Sequence, residues 1–260
     1  MRIATWNVNS LKQRLPRVEE FLGYADVDVL CMQETKLPDK SFPALTFGAL
    51  GYESAHHGQG QWNGVAILSR VGLADVSNGF GDAVVDPYEG DARVLAATAG
   101  GVHVISVYVP NGRAVGTEFY DRKLHWLASL HDWLAANHSP TDPIVVLGDF
   151  NVAPEDRDVW DPKAFEGSTH VTKAEREAVA RLEDWGLQDV FRVRYPETDR
   201  LYTYWDYRAG DFHQHRGMRI DLALATRPVA DRVSWALVDR NARKGTGPSD
   251  HAPLLFDLDD

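Results

Sequence analysis

The chain alternates between short apolar runs and polar breaks along its whole length. "RIATWNV", "VDVLCMQ", "GVAILS", "RVLAATA", "VHVISVYV", "PIVVLGD", "YTYWDY", "RIDLALAT", "VSWALV" and "PLLFDL" are rich in β-branched and aromatic residues and read as strands. Several are apolar without a break, the pattern of strands covered by helices. Elsewhere the period changes to three and four residues. Leu15 to Tyr24 carries Pro16 in its first turn and closes near Gly23. Gly116 to Asn137 repeats Phe119, Leu127, Leu130 and Leu134 along one stripe. Thr172 to Trp185 opens on a capping box, Thr172 with Glu175, buries Val179, Leu182 and Trp185, and stops at Gly186. Short turns join most strands, which predicts mainly antiparallel pairing with a few helical crossovers. Two packed sheets with helices outside satisfy the layer rule, and residues 1–260 form one such domain.

Composition narrows the class. Hydrophobic residues make up 44% of the 260, enough for a sizeable core without staples. The lone cysteine, Cys31, lies inside an apolar run with no base or cation beside it, and reads as a core residue in a reducing compartment. No secretory pattern follows Met1 and no apolar run approaches a membrane span, so a soluble, cytoplasmic monomer is expected, without membrane contact. The net charge of −11 argues against nucleic acid at first sight. Metal-binding carboxylates are neutralised in use, however, and a local basic strip works on an acidic background. The tail "DLDD" reads as solvated.

The informative residues stand where apolar strands stop. They are Asn7 and Asn9; Gln33, Glu34 and Thr35; Tyr108, Asn111 and Arg113; Asp149 and Asn151; Asp221; and Asp250 with His251. A carboxylate at the edge of an apolar strand is unfavourable unless it finds donors or a cation. Strand ends from two packed sheets meet at one rim, where such groups can converge. There is no cysteine or histidine grouping with zinc spacing, and an oxygen-rich set suits Mg²⁺, with Mn²⁺ as substitute. Metal-assisted attack of water on a phosphate ester is the chemistry implied. In "GDFN", Gly148 allows close backbone approach, Asp149 can take a proton from water, and Asn151 can donate to a phosphate oxygen.

"WNVN", "QETK", "YVPNG", "GDFN", "RIDLALA" and "SDHAPL" occur in that order, and with them the chain resembles the exodeoxyribonuclease III family of DNA-repair nucleases. That family includes the apurinic/apyrimidinic (AP) endonucleases and belongs to the wider endonuclease/exonuclease/phosphatase superfamily. The resemblance spans essentially the whole chain. It implies a four-layered α/β sandwich of mixed, largely antiparallel sheets. It implies 3′→5′ exonuclease and AP endonuclease activity on double-stranded and abasic-site DNA in base excision repair, with 3′-phosphatase activity as a further expectation. Asn7 and Glu34 would hold the metal, with Asp250 at or near it, and Asp149, Asn151 and His251 complete the set around one or two ions. Tyr108 would contact the phosphate, Asp149 would activate the water, and Asn151 would stabilise the transition state. Asp221 would hydrogen-bond His251, which would bind the scissile phosphate. A carboxylate that fixes a tautomer and raises an imidazole's pKa also makes physical sense of that pair.

DNA contacts are expected along "FRVRYPETDRLYTYWDYRAGDFHQHRGMRID", where arginines through Arg216 and Arg219 interleave with aromatics, and in "DRNARKGTGPSD". By the resemblance, Tyr204, Trp205, Met218 and Ile220 are walls of a pocket that admits a flipped, baseless sugar. Met218 and Ile220 alternate about Arg219 and share a face. Asn111, Arg113 and Arg216 join the DNA-binding set, and Arg122 and Lys123 are further candidates for backbone phosphates. Loops after Asn111 and around Gly210 would tune exonuclease against AP endonuclease activity. The competing reading is a metal-dependent phosphoesterase acting on RNA, a phosphoinositide or a lipid headgroup. The net charge favours it, whereas the basic-aromatic stretch favours DNA. Retention of Glu34, Asp149, Asn151, Asp250 and His251 speaks against a non-catalytic relative.

Overall fold

The computed structural model describes residues 1–259. Its strands are β1 (Arg2–Asn7), β2 (Val29–Gln33), β3 (Glu53–His57), β4 (Val65–Ser69), β5 (Ala74–Asn78), β6 (Val94–Ala99), β7 (Val102–Tyr108), β8 (Ile144–Asp149), β9 (Leu187–Asp189), β10 (Asp221–Thr226), β11 (Val233–Val238) and β12 (Leu254–Leu258). They form two six-stranded sheets, ordered β11-β12-β1-β2-β4-β3 and β5-β6-β7-β8-β10-β9. Pairing is antiparallel except for β1 with β2 and β7 with β8. The helices are α1 (Leu11–Ala25), α2 (Ala44–Ala49), α3 (Glu118–Asn137), α4 (Lys173–Trp185), α5 (Val190–Arg194), α6 (Asp211–Gln214) and α7 (Arg227–Ala230).

Strand parity builds the layers. Ile3, Val29, Cys31, Val104, Val145, Leu147, Ala223 and Ala225 point between the sheets. The alternate residues Ala4, Trp6, Leu30 and Met32 pack outward against Val18, Phe21 and Leu22 of α1. On the other side, Ile105, Val107, Val146 and Leu224 meet Trp126, Leu127 and Leu130 of α3 and Val179 and Leu182 of α4. The result is the expected four-layered α/β sandwich, and Cys31 is a buried core residue. No helix among the described residues is long and apolar enough to cross a membrane.

Some elements differ from the sequence expectation. Helix α1 starts at Leu11, not beside Pro16. Pro16 lies on the exposed face, where water can reach the Lys12 carbonyl that the missing N–H leaves free. Phe119 is partly exposed while Trp126 and Trp133 join the α3 stripe, and α4 has the expected capping box and Gly186 stop. "YTYWDY" is not a regular strand: only Tyr204 forms isolated bridges, to Met218 and His251. In the tail, Asp257 pairs with Arg2 at 2.7 Å, Asp259 is exposed, and Asp260 lies outside the described residues.

Candidate active site

Topology explains why some polar residues end their strands and others begin them. The parallel neighbours β1 and β2 finish at one rim, as do β7 and β8. Because β10 runs antiparallel to β8 and β12 antiparallel to β1, their first residues and the turn before β12 reach that same rim. Tyr108 pairs with Asp149, and Asp149 with Asp221, in register across three strands. By parity with Ile3, Val104, Leu147 and Ala223, the side chains of Asn7, Tyr108, Asp149 and Asp221 all face the gap between the sheets. Beneath them, Gln33 donates to Thr5 Oγ1 at 3.0 Å and to Ser106 Oγ at 3.1 Å, a buried polar bridge from one sheet to the other.

Asp149 is the hub. It is 1% exposed, and Asn7 Nδ2 donates to its Oδ2 at 2.9 Å while the Asn151 N–H donates to its Oδ1 at 2.9 Å. Burial, reinforced by the nearby charges of Asp221 and Glu34, pushes its carboxyl up to about 7. His251 Nδ1 lies 2.8 Å from Asp221 Oδ2, and its Nε2 is 3.9 Å from Asp149 Oδ2. Burial opposes charge on this ring, but Asp221, then Asp149 and Asp250, raise it to about 10. Nδ1–H therefore donates to Asp221, and Nε2–H remains to face a ligand. Burial raises the Tyr108 phenol well above its usual range, so it stays a donor.

The other side of the site carries oxygens. Asn7 Nδ2 also donates to Glu34 Oε1 at 2.8 Å, and Asn9 Nδ2 donates to Asp250 Oδ1 at 3.0 Å. Burial works against the Glu34 charge, yet Lys36, 2.7 Å from its Oε2, holds the carboxyl below the usual range. Lys36 Nζ also donates to Asn9 Oδ1 at 2.6 Å, which marks a place where positive charge is stabilised. Glu34 and Asn151 both have left-handed backbones, with φ of 52° and 51°. Such strain at non-glycine residues gathers at functional sites. Ser249 steadies the last turn by donating to the Asn7 carbonyl at 2.6 Å and accepting from the His251 N–H at 3.2 Å.

Donor atoms of Asp149, Asp221 and His251 lie within 4.8 Å of one another, and Asp221 Oδ1 is buried without a partner. With its Nδ1 committed to Asp221, the His251 ring has only Nε2 to offer. The oxygen donors of Glu34, Asp250 and the Asn7 amide fit a hard divalent cation better. Asn151 Nδ2 donates to the Val109 carbonyl and its Oδ1 accepts from Asn111 Nδ2, as Asn7 Oδ1 accepts from the Asn9 N–H, so each amide oxygen keeps one lone pair to offer.

Beside this centre opens a cleft of about 470 Å³, lined by Arg113, Trp160, His170, Tyr204, Arg216 and Met218 among others. The Tyr204 ring stands 4.9 Å from that of His251, and His170 Nδ1 contacts the Asn151 carbonyl at 2.6 Å. Arg216 lies over Trp160 at 5.3 Å, and Arg113 over Phe119 at 3.6 Å. Several expected DNA contacts do not reach the cleft. Trp205 is fully buried against Phe212, because backbone pairing of Tyr204 with Met218 and of Trp205 with Asp250 turns the two rings to opposite sides. Ile220 shares a cluster with Met218, as parity predicts, but packs on Ala153 and Val159 below the lining. Arg219 is fully buried, at 2.7 Å from Asp158 and 2.6 Å from Asp189. Arg122 caps the Pro87 carbonyl over Tyr88, and Lys123 is entirely buried. The cleft residues Trp160 and His170, together with Lys36, carry no signal in the apolar-run pattern and escape sequence reading.

The profile of the endonuclease/exonuclease/phosphatase family matches residues 4–251. Exodeoxyribonuclease III of Haemophilus influenzae is 32% identical over 98% of both chains. Among solved structures, the 3′ phosphatase NExo from Neisseria, bound to a product DNA hairpin, superposes over both full chains with a TM-score of 0.94 and 38% identity. An AP endonuclease from Archaeoglobus fulgidus does so with a TM-score of 0.95 and 37% identity. With motifs, fold and rim geometry in agreement, the chain belongs to the endonuclease/exonuclease/phosphatase family, as a hydrolase of the exodeoxyribonuclease III type.

Proposed function

We propose that this nuclease hydrolyses phosphodiester bonds of duplex DNA, with 3′→5′ exonuclease and AP endonuclease activity and removal of 3′ phosphates, using Mg²⁺. The observation that carries the reading is the buried Asp149–His251–Asp221 array, joined through the Tyr204 ring to a neighbouring cleft lined by Arg113 and Arg216. Glu34, Asp250 and Asn7 would hold the cation, which when bound supplies charge neutralisation at the phosphate. Asp149 takes the proton of the attacking water, and burial, which raises its carboxyl, makes it the better base. His251 donates Nε2–H to a non-bridging phosphate oxygen, held in that tautomer by Asp221. Asn151 turns the second N–H of its amide, the one not given to Val109, toward the same phosphate. Tyr108 adds a phenolic donor at the end of β7. Arg113, Arg216 and Asn111 engage the backbone, and Tyr204 and Met218 face the sugar.

The cleft sets Arg113 and Arg216 beside the aromatic faces of Trp160 and Tyr204, and although Asp206 and Asp211 also line it, that pairing of cations with rings favours DNA over the phosphoinositide reading in spite of the net −11. The test is incubation with Mg²⁺ or with EDTA of three substrates: intact duplex DNA, duplex DNA with one abasic-site analogue, and an RNA duplex. The reading predicts 3′ shortening of DNA and incision at the abasic site, both abolished by EDTA. Cleavage that survives EDTA, or preference for RNA, would contradict it.

A further inference from the structure

We propose that Lys123, anchored by Glu175, is a positioning residue for hydrolysis: it sets Asn151 and Asn111 through their main-chain carbonyls. The inference rests on the role given above to Asn151. Lys123 and Glu175 are both 0% exposed, and their side chains meet at 2.5 Å. The ammonium has three N–H groups. One goes to Glu175, and one to the Asn151 carbonyl at 2.6 Å. The third faces the Asn111 carbonyl at 3.3 Å and Thr169 Oγ1 at 3.4 Å.

Glu175 completes the knot. It accepts from Thr169 Oγ1 at 2.6 Å and the His170 N–H at 3.0 Å, while its other oxygen serves the capping box of α4. One ion pair, brought by α3 and α4, therefore ties together the loop after β7, the loop after β8 and the segment before α4. These three segments supply Asn111 and Arg113, Asn151, and His170. The fit is close: a Cβ on Gly112 would stand 2.8 Å from Lys123 Cδ.

Stability does not account for the pair. A buried ion pair is commonly matched or exceeded by apolar residues of similar volume. What an apolar pair cannot do is hold two carbonyls, and Asn151 needs holding because its backbone is left-handed.

The test is a double-mutant cycle in single-turnover cleavage of labelled duplex DNA with Mg²⁺. Rates per folded molecule are compared for Lys123→Met/Glu175→Gln in the wild-type and Asn151→Ala backgrounds, with urea melts giving the folded fraction. Positioning predicts a loss of about 10- to 100-fold in the first background. It predicts a clearly smaller loss, of about 5-fold or less, in the second, because the Asn151 side chain is gone and only Asn111 is left to misplace. An equal loss in both backgrounds, or a wild-type rate for the folded variant, overturns the proposal. If the double substitution does not fold, the isosteric Glu175→Gln alone runs the same cycle under the same criterion. A wild-type rate for Asn151→Ala itself would refute the role of Asn151, and with it this proposal, and is seen without the other variants.

Discussion

Replacing Asp221 by asparagine tests the electrostatic design of the site. Asp221 is fully buried, and its Oδ2 lies 2.8 Å from His251 Nδ1. Despite burial of the ring, Asp221, Asp149 and Asp250 raise His251 to about 10. Each tenfold change in protonation is about 1.4 kcal/mol, so against an ordinary imidazole at about 6.5 these groups hold the imidazolium by roughly 5 kcal/mol. Asp221 is the largest favourable contributor. The sign follows from the direction: a raised imidazole is charged below about 10 and loses its charge as pH rises through that value. The phosphate contact is therefore intact at neutral pH in the wild type. In Asp221→Asn the alkaline limb of the rate should move down toward about 6.5, which leaves about one ring in 30 charged near pH 8 and lowers the rate there by about 30-fold. Single-turnover cleavage of a labelled duplex at saturating Mg²⁺, measured from acid to alkaline pH, reads both. A variant with an unmoved alkaline limb and a near-wild-type rate would refute the reasoning.

Other perturbations probe separate parts of the account. Arg219→Met removes the cation between Asp158 and Asp189 and should destabilise by about 3 kcal/mol in urea melts, because buried Asp189 loses its cation while Asp158 keeps only Arg192. Stability within about 1 kcal/mol of wild type would show the network to be dispensable. Gly148→Ala should lower stability by about 3 kcal/mol or more, since its Cβ would stand 1.9 Å from the Val107 carbonyl oxygen at a φ of 149°. Arg113→Ala and Arg216→Ala should each weaken DNA binding and reduce the slope of log K against log salt by about 1, while Trp205→Phe should not change that slope.

The site was legible in the sequence because a polar residue ending an apolar run is a local signal. Asn7, Glu34, Tyr108, Asp149 and Asp221 announce themselves in that way; strand parity then decides the facing of all but Glu34, which lies past the end of β2 on a left-handed backbone. What the pattern does not carry is the partner across the fold. Lys123 looks like a candidate for a backbone phosphate until α4 places Glu175 against it. Arg219 looks like a phosphate contact until Asp158 and Asp189 surround it. Tyr204 and Trp205 are adjacent aromatics, and only pairing with Met218 on one side and Asp250 on the other sends the first to the cleft and the second to the core. The edge strands β3 and β5 lack an apolar run, since β5 is exposed throughout and no residue of β3 is fully buried.

The most direct measurement is the single-turnover rate of Asp149→Asn on duplex DNA with Mg²⁺, alongside its DNA affinity. The substitution keeps the shape of the hub and removes the proton acceptor. The account predicts a rate lowered by at least about 10²-fold with DNA still bound. Cleavage near the wild-type rate would contradict the assignment of Asp149 as the base on which the mechanism turns.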